Sequence, residues 1–93
     1  MKSVLQQENE CYICGTTENL HTHHCIYGTA NRKKSERYGL TVKLCFKHHN
    51  GSSEGVHFNK ELDLHLKSLA QKYFEENTGN RKQFIQEFGK SYL

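Results

Sequence analysis

The spacing of apolar and polar positions predicts two short strands in the first half of the chain. Residues 20–27 and 40–44 are rich in β-forming side chains, and the second segment alternates apolar and polar positions. Residues 28–39 are basic and bounded by glycines, so we predict a loop that joins the strands. Residues 1–10 are polar, and we expect them to be loosely held.

The second half of the chain carries helical periodicity. A short helix or turn over residues 45–50 is expected to stop within residues 51–55, which contain two glycines. A longer helix is predicted from the N-cap Asn59 to the Asn-Thr-Gly sequence at 77–79. Its apolar stripe comprises Leu62, Leu66, Leu69, Ala70 and Tyr73. A last helix, capped by Asn80, carries the apolar residues Phe84, Ile85 and Phe88. Both stripes are interpreted as core packing, and the predicted class is α+β.

Composition indicates one small domain whose core needs further stabilisation by a metal ion, a disulfide or a partner chain. The chain has 93 residues, of which 34% are hydrophobic, and it has no tryptophan, so its core is marginal. No apolar stretch is long enough to span a membrane, and the N-terminus has no signal-peptide core. We therefore expect an intracellular protein in a reducing compartment, where paired cysteines are metal ligands or redox groups rather than disulfides. The net charge of +3 permits nucleic-acid binding without requiring it.

Two ligand pairs predict a structural zinc site. Cys11 and Cys14 form a Cys-x-x-Cys pair, and Cys45 and His48 form a Cys-x-x-His pair after an interval of 30 residues. A two-residue gap lets one turn direct both side chains at the same ion, and structural zinc takes four such ligands in a tetrahedron. The rival interpretation is a thiol redox pair, which normally stands in a βαβ context that this chain lacks. Cys25 is left over, either as a buried apolar residue or as a replacement for Cys45 or His48.

Six further histidines suggest a second site. His23 and His24 are adjacent at the first predicted strand, and His49 follows the zinc ligand directly. The predicted zinc site is expected to bring these three side chains together. His57 is a weaker, fourth candidate for this second site. His21 is predicted on the solvent side of the strand, and His65 at the edge of a helical apolar stripe, so neither is assigned to the site.

The order Cys-x-x-Cys, His-His, strand, Cys-x-x-His-His resembles the HNH endonucleases, in particular short phage-encoded members with a zinc knuckle. The resemblance implies a ββα-metal, treble-clef-like core at residues 11–59 within a single domain of residues 1–93, with a helical extension at residues 60–93. It also implies that His24 is the general base and that His23 and His49 hold a catalytic divalent metal. His57 would be the third ligand. The family's asparagine, near the start of the second strand, has no counterpart in residues 38–42; Asn31, Asn50 and Asn59 are candidate substitutes, although none stands at that position.

These assignments predict a metal-dependent endonuclease that acts on DNA in the cytoplasm of a bacterial or phage-infected cell. A neutral imidazole accepts a proton from water near neutral pH, and a divalent ion stabilises the charge that develops on the phosphate. Zn²⁺, Mn²⁺, Ni²⁺ and Mg²⁺ are the candidate catalytic metals. Basic residues of the predicted loop would contact the backbone phosphates; they are Arg32, Lys33, Lys34 and Arg37.

Other functions stay open at this point. A non-catalytic zinc module that binds nucleic acid or a protein needs the four zinc ligands but has no use for a second histidine cluster. A thiol redox protein would fold without zinc. No base-reading element is evident, so specificity would come from a protein partner or the structure of the DNA. A monomer with one active site would nick DNA, whereas a homodimer could cut both strands.

Overall fold

The computed structural model describes residues 2–51 and 55–93, so the middle of the predicted stop at residues 51–55 lies outside the described residues. The elements are β1 (Leu20–His24), α1 (Asn31–Tyr38), β2 (Thr41–Cys45), α2 (Phe46–Asn50), α3 (Lys60–Asn77) and α4 (Arg81–Phe88). The strands form a two-stranded antiparallel sheet in which His23 lies opposite Val42 and Leu20 lies opposite Cys45. The α+β prediction is confirmed, and both predicted strands are present with shifted bounds.

The basic segment at residues 28–39 is not a loop throughout, because α1 occupies most of it. This prediction was wrong since α1 has no apolar stripe of its own, and its buried side chain is Ser35. The Ser35 hydroxyl donates to the carbonyl of Ile26 at 2.5 Å. The helix ends at Gly39, which has φ +71°, and a Cβ there would lie 2.6 Å from the carbonyl oxygen of Lys2. Tertiary contacts therefore stabilise a helix that periodicity does not reveal.

The N-terminal segment lies against β2, so the expectation that residues 1–10 are loosely held was wrong for the described part. The backbone N–H of Val4 donates to Gly39 at 2.9 Å, and the backbone N–H of Lys43 donates to the side-chain oxygen of Gln6 at 2.7 Å. The Ser3 hydroxyl donates to the carbonyl of Thr41. A polar segment is held here by hydrogen bonds that satisfy an otherwise open strand edge.

The two C-terminal helices begin after their predicted N-caps and pack part of their predicted stripes into the core. The Asn59 side chain accepts from the N–H of Leu62, and Asn80 forms a capping box with Gln83. One face of α3 and α4 is buried in the same apolar cluster as the sheet; it contributes Leu66, Ala70, Phe74, Phe84 and Phe88. Ile85 is 39% exposed, so its assignment to the core was wrong. No helix in the described ranges is both long and apolar enough to cross a bilayer.

Candidate metal centres

A tight turn and a strand end bring the two predicted ligand pairs together. The turn is closed by the N–H of Gly15, which donates to Cys11 at 2.9 Å, and Gly15 itself has φ +77°. The N–H of Tyr12 donates to the carbonyl of Lys43 at 2.8 Å, which fixes the turn beside β2. Cys45 is the last residue of β2 and the N-cap of α2, so His48 follows it within one helical turn.

The resulting cysteine cluster (Cys11, Cys14, Cys45 and His48) has the dimensions of a tetrahedral zinc site. Its four ligand atoms all lie within 4.8 Å of one another. The two sulfurs of Cys14 and Cys45 are 3.8 Å apart, and His48 Nδ1 lies 3.7 Å from the Cys11 sulfur. Zn–S and Zn–N bonds of about 2.3 and 2.05 Å in a tetrahedron require separations of about 3.8 and 3.6 Å. These four residues therefore lie close enough to hold a metal ion such as zinc.

The thiol of Cys11 has the protonation preference of a metal ligand. Burial of Cys11 raises its pKa, but the backbone N–H groups of Cys14, Cys45 and Ile13 outweigh burial and lower the pKa to about 6. Thiolate is the form of cysteine that binds metal, so this environment favours the ligating species at neutral pH.

A second, three-histidine cluster (His23, His49 and His57) includes the α2 residue that follows His48. His23 comes from β1, His49 from α2 and His57 from the turn before α3, and one nitrogen of each lies within 4.8 Å of the others. The Nε2 atoms of His49 and His57 are 3.4 Å apart, near the roughly 3.3 Å expected for two nitrogens on one tetrahedral ion. His23 is 2% exposed, and its Nε2 has no hydrogen-bond partner among the described residues. A buried polar atom without a partner costs free energy unless a ligand satisfies it, so the cluster fits a cation.

The surroundings of His23 and His49 favour the neutral form of both imidazoles. Burial, followed by the neighbouring His49 and His57, lowers the pKa of His23 to about 3. Burial and the same kind of neighbours also lower the pKa of His49. Neutral imidazoles offer free lone pairs to a metal, and three protein ligands leave at least one coordination position for water or substrate.

His21 contacts this cluster, so its predicted place on the solvent side of the strand was wrong. Its Nδ1 lies 3.1 Å from Nδ1 of His49, and its ring packs edge-on against Phe46. Residues i and i+2 of a strand share a face, so the alternation that placed His23 also placed His21 there. If Nε2 of His49 binds a metal, its Nδ1 carries the proton and donates to His21, which fixes the ring as outer-shell partners do.

His24 lies beside the three-histidine cluster rather than within it. The strand ends at His24, and its Nε2 approaches Glu36 Oε2 at 2.9 Å instead of joining the other histidines. Both His23 and His24 nevertheless line one cavity of about 690 Å³. The base and the metal ligands predicted from sequence thus open into a common space.

Tyr27 forms a wall of this cavity and connects it to α3. Its ring packs against His23 and His57 at centroid distances of 5.8 and 5.3 Å. The ammonium group of Lys67 lies 4.6 Å from the Tyr27 ring centroid and pairs with Asp63 at 2.8 Å. The helical extension therefore supports the histidine cluster through one aromatic ring.

The predicted nucleic-acid contacts are distributed around α1. Arg32 lines the histidine cavity, whereas Lys34 donates to the carbonyl of Glu87 on α4 at 2.5 Å. Lys33 and Arg37 are exposed on the helix surface. Cys25 is fully buried and lies outside the cysteine cluster, as expected for an apolar cysteine.

No protein-family model, curated protein or solved structure matches this chain. The two clusters and their surroundings are therefore interpreted from their own geometry and chemistry.

Proposed function

We propose that this chain is a metal-dependent endonuclease that hydrolyses phosphodiester bonds in DNA, with a ββα-metal fold of the HNH kind and a structural zinc. The observation that carries the proposal is the shared cavity, in which His24 faces the same space as the three-histidine cluster. A purely structural zinc protein needs one closed site, whereas a second, open site beside an imidazole that is not one of its ligands suits hydrolysis.

Each part of the cavity has a role in this reaction. His24 accepts the proton of the attacking water, because it is a partly exposed imidazole at the cavity wall. His23, His49 and His57 would hold a divalent ion, which supplies charge stabilisation at the phosphate and the leaving oxygen when bound. Arg32 lies at the cavity edge and would position a backbone phosphate without reading sequence.

The ligand set also bears on the choice of metal. Imidazole nitrogen suits Zn²⁺ and Ni²⁺, whereas Mg²⁺ prefers oxygen ligands. We therefore expect cleavage that does not depend strictly on magnesium, with Mn²⁺ and Mg²⁺ as weaker alternatives in this all-nitrogen cluster.

The test is a plasmid-nicking assay of the wild type, His24→Ala and His65→Ala, each checked for folding and zinc content. His65 is a matched control, since it is an exposed histidine on α3 outside both clusters. We expect metal-dependent cleavage that EDTA abolishes, that His24→Ala loses and that His65→Ala retains. Folded wild-type protein that cuts DNA with none of Zn²⁺, Ni²⁺, Mn²⁺ or Mg²⁺ would overturn the proposal and favour the zinc-binding module.

A further inference from the structure

Residues 38–42 lack the asparagine that the HNH resemblance implies, but a carboxylate on α1 occupies a position from which it can orient His24. We propose that Glu36 is the positioning residue of His24, accepting its Nε2–H and leaving the lone pair on Nδ1 as the one that can accept a proton. This role rests on the proposed function. The contact itself is the 2.9 Å approach of Glu36 Oε2 to His24 Nε2.

The hydrogen bond between His24 and Glu36 selects one tautomer of the His24 imidazole. A neutral imidazole carries one proton, on either of its nitrogens, and an ionised carboxylate only accepts hydrogen bonds. The hydrogen bond from His24 holds the pKa of Glu36 below its ordinary value, so the carboxylate stays ionised at neutral pH. The proton of neutral His24 is therefore placed on Nε2, and the lone pair on Nδ1.

The fold supports the position of Glu36. The residue before it, Ser35, is buried and bonded to the carbonyl of Ile26, two residues beyond His24. The carbonyl of Glu36 accepts from Gly39, which ends α1 in a left-handed conformation. The helix backbone that carries the carboxylate is therefore fixed relative to the strand that carries the base.

The exposure of the Glu36 and His24 side chains lets an experiment distinguish a catalytic role of Glu36 from a structural one. The side chain of Glu36 is 52% exposed and that of His24 is 23% exposed. Even an ion pair at such an exposed position contributes little to folding stability, and a hydrogen bond between a neutral imidazole and a carboxylate should contribute no more, so replacing Glu36 should leave the protein folded. The effect should fall on the orientation of His24 and on the rate of the chemical step.

The experiment compares wild type, Glu36→Ala and Glu36→Gln, with Glu76→Gln as a charge-matched control on the exposed surface of α3. Long-range ¹H–¹⁵N spectra of the zinc-loaded proteins report the His24 tautomer, with His24→Ala used to assign its signals. We expect the Nε2–H tautomer in wild type and Glu76→Gln. Glu36→Ala should populate both tautomers, and so should Glu36→Gln, because an amide can either donate or accept.

Cleavage kinetics provide the second readout. Loss of an orienting partner should lower kcat by about 10- to 100-fold with KM nearly unchanged. A His24 that is Nδ1–H in wild type, or whose tautomer and kcat are unaffected by Glu36→Ala, would overturn the assignment. If wild type cuts no DNA, the proposed function and this catalytic role fail together, whereas the spectra still decide whether the pair selects the tautomer.

Discussion

Removal of the metal from the cysteine cluster is expected to unfold the protein at neutral pH. Thirteen apolar side chains are buried among the described residues, and two of them are the ligands Cys11 and Cys45. The cluster joins the turn at residues 11–15 to the end of β2 and to α2, and the backbone hydrogen bond from Tyr12 to Lys43 reinforces the same junction. In a core this small, the metal is expected to supply much of the net free energy of folding.

The free energy of zinc binding is large enough, relative to the stability of a small domain, to decide whether the metal-free protein folds. A structural zinc site contributes about 10–16 kcal/mol at neutral pH, whereas the whole stability of a domain is about 5–15 kcal/mol. Each kcal/mol lost lowers Tm by about 4–8 °C in a domain of this size. Loss of the metal should therefore abolish the cooperative transition rather than shift it by a few degrees.

The assay is circular dichroism during heating, with zinc content measured in parallel. Wild type with excess chelator and Cys11→Ser should both lack a cooperative transition. Cys25→Ala is the matched control, because Cys25 is buried but outside the cluster. It should keep one structural zinc and melt cooperatively. A chelated, metal-free wild type that melts like the loaded protein would refute the reasoning.

Further predictions concern other parts of the molecule. Burial raises the pKa of the Cys25 thiol from 9.0 to about 12. The unfolded chain therefore releases this proton first as pH rises, and wild type should lose about 1.4 kcal/mol relative to Cys25→Ala between pH 8 and 10 in urea unfolding; equal losses would contradict this. His21→Ala should weaken Ni²⁺ binding at the three-histidine cluster by about 10- to 100-fold in calorimetry, leaving the cysteine-cluster zinc in place. An unchanged Ni²⁺ affinity would argue against a role of His21 in orienting the His49 ring. Asn80→Ala should cost about 1 kcal/mol, and exposed Lys82→Ala far less, by chemical denaturation; equal costs would contradict a capping role.

Much of the molecule was predictable because its signals are local. The N-caps Asn59 and Asn80 were recognised from residue type and from the stripes that follow them. The ligand pairs were recognised because a two-residue gap in a turn directs both side chains to one point. The alternation of faces along β1 also indicates that His21 lies on the same face as His23, although we predicted it on the solvent side.

Sequence by itself determined the two strands, the helical stripes and the candidate cysteine and histidine ligands, since each depends on neighbours within a few positions. Tertiary structure decided that residues 31–38 form a helix, because the contacts that hold it come from distant parts of the chain. It also separated His24 from the three-histidine cluster and set it against Glu36, twelve residues away. Adjacent strand residues point in opposite directions, and only the packing of α1 and α2 on the sheet determines what each of them meets.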